Sequence, residues 1–390
     1  MIKRKILNKL LYLSKKFPVV TLTGPRQSGK TTLVKSAFPQ KKYFSLEDPD
    51  IRSYAASDPR GFLSDCKNGA IIDEIQRVPD LFSYIQTVVD NKRQNGFFIL
   101  TGSQNYLLQE NVSQTLAGRT AILTLLPFST EELELTKYAS KSSAKYIYTG
   151  FYPRIYDRKI KPSDWYPNYI QTYIERDIRM IKNISDLNTF QKFLKICAGR
   201  TGQLINLSSI ASDCGITHNT VKAWLSILES SYIIFFLKPY HENFNKRLVK
   251  MHKMYFYDTG LACFLLGIKD KKQLETHYLK GGIFESFVMS EIFKHKTNRG
   301  LDPDCYFWRD KNGNEIDCLL ESGNNIVPIE IKAGKTFNED YLSGINYWNK
   351  IANKKNNQKS YIIYNGEQKQ ERKEFVIINW QDIHDTLNKL

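Results

Sequence analysis

The sequence predicts an α/β fold in three parts. These are an N-terminal parallel sheet covered by helices, a helical and winged-helix-like middle, and a second α/β segment at the C-terminal end. Three observations predict it. Short runs that are apolar throughout alternate with helix-like stretches in the first third, as strands buried on both faces require. Residues 205–231 read as helix, glycine break, helix. Residues 305–380 hold five more short apolar runs.

In chain order, residues 18–23 predict a strand ending in a glycine-rich turn, and 30–38 a helix. A strand at 69–73, a helix at 81–90 and strands at 97–101 and 121–126 follow. Residues 160–235 read as helical, with 207–212 and 217–225 on either side of Gly215 and a strand at 231–238. Residues 239–253 are polar and basic, which predicts a linker. The C-terminal part predicts a helix at 283–293 and strands at 305–309, 315–320, 326–331, 361–364 and 375–380. The expected domains are therefore 1–155, 156–238 and 239–390.

The 390 residues fit two or three domains at ~100–200 residues each. Hydrophobic residues make up 42% of the chain, too many for a disordered one. No apolar run approaches the ~20 residues of a membrane helix, so an integral membrane protein is not expected. Lys and Arg number 56 against 40 Asp and Glu, a formal net charge of +16. That excess favours a polyanionic partner: nucleic acid first, acidic lipid second. The six cysteines have no C-x-x-C spacing and predict reduced, buried thiols in a cytoplasmic protein. The basic N-terminus carries a helical apolar stripe (Ile6, Leu7, Leu10, Leu11, Leu13) and lacks the unbroken core of a signal peptide.

Gly24-Pro-Arg-Gln-Ser-Gly29-Lys30-Thr31 matches G-x-x-x-x-G-K-[ST] between a strand and a helix, the context this motif needs. Gly24 and Gly29 let backbone amides wrap phosphates, and the helix start adds positive charge. Pro25, Arg26, Gln27 and Ser28 complete the loop, and Thr32 follows it. Lys30 can reach the β- and γ-phosphates of ATP, and the Thr31 hydroxyl can bind Mg²⁺. Ala70-Ile-Ile-Asp73-Glu74 ends a buried strand in two acids. Asp73 suits Mg²⁺, and Glu74 suits a general base for the attacking water. Thr101 and Ser103 end the next strand in polar groups that can sense the γ-phosphate, or simply begin a loop. Arg119 fits either a surface arginine or one that stabilises phosphate on a neighbouring subunit, which would imply a homo-oligomer.

Together with Leu126-Pro-Phe-Ser, these stretches resemble the bacterial and archaeal AAA-type ATPases that carry a C-terminal domain of long-unknown function. The resemblance spans nearly the whole chain and implies an ATPase fold, without implying a substrate.

Asp317 lies on one predicted strand, and Glu330 and Lys332 share a face of the next. A turn at 322–325 would bring the three together. Two carboxylates and a lysine suit hydrolysis of phosphodiesters assisted by Mg²⁺ or Mn²⁺. This resembles the restriction-endonuclease-like superfamily, which implies an acid from a preceding helix as well. Glu285 stands at the matching place. Glu315 shares the face of Asp317 and is an alternative ligand. A surface charge cluster, or the relic of a nuclease, fits the same residues. In the middle segment, Thr217, His218, Asn219 and Lys222 fit contacts to a DNA groove, or the segment packs against other protein. His241, His252, His277 and His295 show no ligand spacing and are read as structural. Two functions follow. One is an ATP-hydrolysing protein acting on nucleic acid, DNA above RNA, with a metal-dependent nuclease site. The other is a nucleotide-switched regulator or scaffold that binds DNA or protein through an inactive nuclease-like domain.

Overall fold

The computed structural model describes residues 2–103, 115–174, 186–240, 250–323, 325–352 and 359–390. Its contacts group into two compact units. One comprises residues 1–128, 230–232 and 296–302; the other comprises 129–229, 233–295 and 303–390.

Among the described residues the first unit holds five strands: β1 (Val19–Thr23), β2 (Lys42–Ser45), β3 (Ala70–Asp73), β4 (Phe98–Thr101) and β5 (Thr120–Thr124). All pair in parallel, in the order β2-β3-β4-β1-β5. β2 is the one strand here that the sequence reading did not anticipate. Every residue of β1, β3 and β4 is buried. Alternate side chains serve two cores. Val19, Ala70, Ile72, Phe98 and Leu100 face one; Val20, Leu22, Ile71 and Ile99 face the other with Leu33 and Val34 of helix Lys30–Ala37. Burial on both faces explains why these strands read as unbroken apolar runs. Parallel pairing puts the ends of β1, β3 and β4 on one edge, where Gly24, Asp73 and Thr101 stand.

Among the described residues the second unit is built on a nine-stranded sheet. Its strands are β6 (Gln203–Leu204), β7 (Ile234–Pro239), β8 (Lys253–Phe256), β9 (Cys305–Arg309), β10 (Glu315–Ser322), β11 (Asn325–Lys332), β12 (Ser360–Tyr364), β13 (Gln370–Glu371) and β14 (Phe375–Asn379). They run in the order β13-β14-β12-β11-β10-β9-β7-β8-β6. β10 and β11 pair antiparallel through Ser322↔Asn325, as the expected turn requires. Trp308, Ile316, Leu319, Ile362 and Ile377 form a core that Ile345 and Trp348 of helix Ser343–Ile351 cover.

Two expectations change here. The boundary expected at 238/239 falls inside this sheet, because β7 pairs with β8 on one side and β9 on the other. The basic stretch expected as a linker begins at the end of β7 and finishes in β8, where Lys253 is only 3% exposed. Residues 241–249, His241 among them, lie outside the described residues. Before β7, helix Leu187–Gly199 leads to β6, then to helices Leu207–Cys214 and His218–Ser230, with left-handed Gly215 after the first. All six cysteines are free and buried, and no helix among the described residues is long and apolar enough to cross a membrane.

Candidate functional site

The phosphate loop lies between β1 and helix Lys30–Ala37. Gly24 has φ +139°, and a side chain there would meet the Leu125 carbonyl at 2.2 Å, so only glycine fits. Gly29 is left-handed at φ 93°. Lys30 is buried, and its Nζ donates to the carbonyls of Gly24 (2.9 Å) and Pro25 (2.8 Å). Its ammonium thus already lies in the curve of the loop. The Ser28 hydroxyl is fully buried with no hydrogen-bond partner among the described residues. Arg4 reaches in from the N-terminus, donating to the carbonyls of Ser28 (2.7 Å) and Leu126 (2.6 Å) with its guanidinium 4.8 Å from the Phe128 ring. Arg26 stands 3.7 Å from Glu47. Gln27 takes a positive φ of 62°, and Thr32 is exposed.

Asp73, at the end of β3, accepts hydrogen bonds from Thr31 Oγ1 (2.8 Å), Tyr43 OH (2.7 Å) and Thr101 Oγ1. The loop, β2 and β4 therefore converge on one carboxylate. Glu74 is left-handed (φ 57°), and its Oε2 accepts from Ser103 Oγ (2.9 Å) and Gln76 Nε2 (2.5 Å). The Lys30 ammonium, the Thr31 hydroxyl and the two acids fit a nucleotide triphosphate with Mg²⁺: Lys30 would face phosphate oxygens, and Thr31 and Asp73 would hold the ion. Arg119 stands apart from this group. It precedes β5, accepts from the Val19 amide at the start of β1, and makes a two-pronged ion pair with Asp90 (2.6 and 3.0 Å). It therefore lies at the opposite end of the strands from the loop.

In the second unit, Asp317 and Glu330 face each other across β10 and β11, since the register Cys318↔Ile329 continues to them. An irregularity in the β9–β10 pairing falls between Ile316 and Leu319, beside Asp317. Lys332 Nζ lies 2.6 Å from Glu330 Oε2 and 3.4 Å from Asp317 Oδ2. The Ile331 amide donates to Asp317 Oδ2 at 2.9 Å. Glu285, from helix Lys280–Asn298, comes to the same place, so the structure brings together all four residues that the sequence suggested. They line a cavity of about 630 Å³ with Lys253, Arg309, Asn314, Glu315 and Gly344. Gly344 is required there, because a side chain would strike the Glu315 carbonyl at 2.3 Å, with Glu330 Oε1 at the same distance.

The acids hold protons unequally. Burial works to raise Asp317, but Lys332 and Lys253 outweigh it and hold the carboxyl down at about 2. Burial and the neighbouring Asp317 charge push Glu330 well above the usual carboxylate range. Burial lifts Glu285 to about 7, against the pull of Lys253. Such a split between adjacent carboxyls occurs both in functional cavities and in structural ion-pair networks.

Sequence reasoning missed Lys253, Tyr255 and Tyr43. The Lys253 ammonium touches Glu285 Oε1 (2.9 Å), Glu315 Oε1 and Asp317 Oδ1 (3.6 Å), and Tyr255 OH donates to Glu285 Oε1 (2.6 Å). A lysine inside a basic stretch gives no sign that it is buried. The one available signal was the run Lys253-Met-Tyr-Phe, which could have been read as a strand.

A further group in the second unit is Glu131, His295 and His384. The two Nδ1 atoms are 3.1 Å apart and the ring centroids 5.4 Å, which is as far apart as that contact allows. The nitrogens therefore face head-on along one line. That suits a shared N–H···N hydrogen bond and leaves no room for an ion between the lone pairs. His384 Nε2 meets Glu291 Oε2 at 3.0 Å.

Residues 16–134 match the model of the AAA domain family. Residues 140–272 and 280–383 match two domains of unknown function, DUF8612 and DUF4143. The chain is 30% identical to the uncharacterized proteins Mb2031c of Mycobacterium bovis and Rv2008c of Mycobacterium tuberculosis over 323 residues, 82% of this chain and 71% of each relative. It is 23% identical to MJ1544 of Methanocaldococcus jannaschii over 362 residues, 83% of this chain and 76% of that one. Among solved structures it is similar to the Walker-type ATPase PABY2304 of Pyrococcus abyssi (15% identity, 68% of this chain and 96% of that one, TM-score 0.46).

Proposed function

We propose, on the premise that the chain belongs to the same family as Rv2008c of Mycobacterium tuberculosis and carries an AAA-type ATPase domain at residues 16–134, that it couples ATP hydrolysis to metal-dependent cleavage of DNA. One observation carries the nuclease part: Asp317, Glu330, Lys332 and Glu285 converge on one polar cavity. There Asp317 and Glu330 hold Mg²⁺ or Mn²⁺. Lys332 orients the attacking water and offsets charge on the phosphate. In the ATPase domain Lys30 binds the β- and γ-phosphates, Thr31 and Asp73 hold Mg²⁺, and Glu74 takes the proton of the attacking water. Thr101 positions Asp73, and Ser103 positions Glu74.

The order helix, β6, two helices, β7, β8, with β8 between β7 and β6, supports a winged-helix reading of residues 187–256. Thr217, His218, Asn219 and Lys222 are exposed at one end of the second of those two helices and supply the contact with DNA. Arg119, held by Asp90 at the far end of the strands from the loop, acts on the nucleotide of a neighbouring subunit, which requires a homo-oligomer.

The second reading is a nucleotide-switched regulator that binds DNA without cutting it. The ion pairs that Lys253, Lys332 and Arg309 make with Glu285, Glu315, Asp317 and Glu330 favour it, because they neutralise most of the charge that would attract a metal.

The test incubates full-length protein with duplex and single-stranded DNA and RNA, with and without ATP, in Mg²⁺ or Mn²⁺. We expect cleavage to fall by about 100-fold or more in Asp317→Asn and Lys332→Ala, with ATP turnover retained. Cleavage unchanged in both variants refutes the site assignment. Salt-sensitive binding of uncut DNA, with log K falling about 0.9 per phosphate contact for each tenfold rise in salt, selects the second reading.

A further inference from the structure

We propose that Lys253 is a built-in cation of the acid cavity. Its ammonium fills the position between Glu285, Glu315 and Asp317, confines a divalent ion to the Asp317–Glu330 side, and makes Glu285 a positioning residue for Lys253 rather than a metal ligand. The inference rests on the metal-site reading above.

Three observations carry it. First, the Lys253 side chain is 3% exposed and its ammonium contacts three carboxylates at once, each on a different oxygen from those facing Lys332. A buried ammonium of this kind is stable only where it is fully paired, so its position is fixed. Second, Glu285 is committed to it. One oxygen, Oε1, takes both the Lys253 ammonium (2.9 Å) and the Tyr255 hydroxyl (2.6 Å), and β8 supplies both donors. Third, the two oxygens of Asp317 divide the cavity. Oδ1 faces Lys253, while Oδ2 faces Lys332 and the Ile331 amide. A divalent ion placed among Glu285, Glu315 and Asp317 Oδ1 would sit against the ammonium and be repelled. On the Glu330 side, Lys332 is 29% exposed and can move aside onto water or phosphate. The arrangement predicts a one-ion site in which a lysine occupies the place a second ion would take.

Mn²⁺ titration of the nucleotide-free full-length chain, followed by the electron paramagnetic resonance signal of free Mn²⁺, tests this without relying on activity. The wild type is expected to bind one ion, and Lys253→Met two. Lys253→Arg should restore one. Glu285→Gln should keep one ion and lose no more than about 100-fold in affinity, the range for a residue that acts through another group, whereas loss of a true ligand costs more. Should Lys253→Met not fold, as its melting curve would show, the Glu285→Gln result decides. Two ions in the wild type, one in a folded Lys253→Met, or a loss above about 100-fold in Glu285→Gln overturns the inference while leaving the metal site standing. Mn²⁺ ignored by the wild type and every variant refutes the metal-site reading itself, and the inference with it.

Discussion

Replacing Glu74 with Gln separates chemistry from architecture in the ATPase domain. Glu74 receives Ser103 Oγ at 2.9 Å and Gln76 Nε2 at 2.5 Å on the same oxygen. A glutamine amide oxygen in that position accepts both bonds, so the left-handed turn at Glu74 and the end of β3 keep their support. What disappears is the carboxylate that can take a proton. General-base catalysis contributes about 10²–10⁴-fold, or roughly 3–5 kcal/mol of barrier. Glu74→Gln should therefore lower steady-state phosphate release from ATP by that factor, while the affinity for a fluorescent ATP analogue stays within about threefold. Asp73 keeps Thr31, Tyr43 and Thr101 as donors in the variant, so Mg²⁺-dependent nucleotide binding should persist. Hydrolysis within about threefold of wild type would refute the assignment of Glu74 as base. Lost binding would show instead that the carboxylate is needed to hold the site together.

Two further outcomes follow from backbone strain and buried charge. Gly24→Ala should weaken nucleotide binding and lower folding stability in denaturant melts by about 2–3 kcal/mol, because its side chain meets the Leu125 carbonyl at 2.2 Å; Gly118→Ala, also at positive φ but with nothing within 4 Å, should cost about 1 kcal/mol. Burial opposes the charge on Glu291, but Lys294, His384 and Thr130 hold its carboxyl at about 2, below the ordinary 4.5. It therefore stabilises the fold fully above pH 4.5 and progressively less as pH falls to about 2. Glu291→Gln should lose about 3 kcal/mol at pH 7 in denaturant melts, with the gap to wild type closing across that acid window. A gap that stays constant from pH 7 to pH 2 would show that its charge is not what stabilises the fold.

The N-terminal site was legible because its chemistry is local. Gly24 to Thr31 are contiguous, Asp73 and Glu74 end an apolar strand, and strands buried on both faces announce themselves as runs such as Ala70-Ile-Ile. The trio Asp317, Glu330 and Lys332 was legible for a similar reason, since a hairpin with a period of two fixes which residues meet. Sequence separation hid the rest. Lys253 meets Glu285 across 32 residues and Asp317 across 64, and only the pairing order of β7, β8 and β9 brings them together. Tyr43 sits on an edge strand with a weak pattern, so its bond to Asp73 carried no local mark. The basic stretch that runs into β8 concealed a buried ion pair at Lys253, because composition reports charge and not whether that charge is solvated. The sequence by itself determined the parallel ATPase sheet, the phosphate loop and the C-terminal acid hairpin, each set by residues near one another in the chain. The tertiary structure decided which charges neutralise one another: the pairing of Arg119 with Asp90, the merging of the middle and C-terminal segments into one sheet, and the place of Lys253 among the acids. Those depend on contacts between distant segments, which no local period encodes.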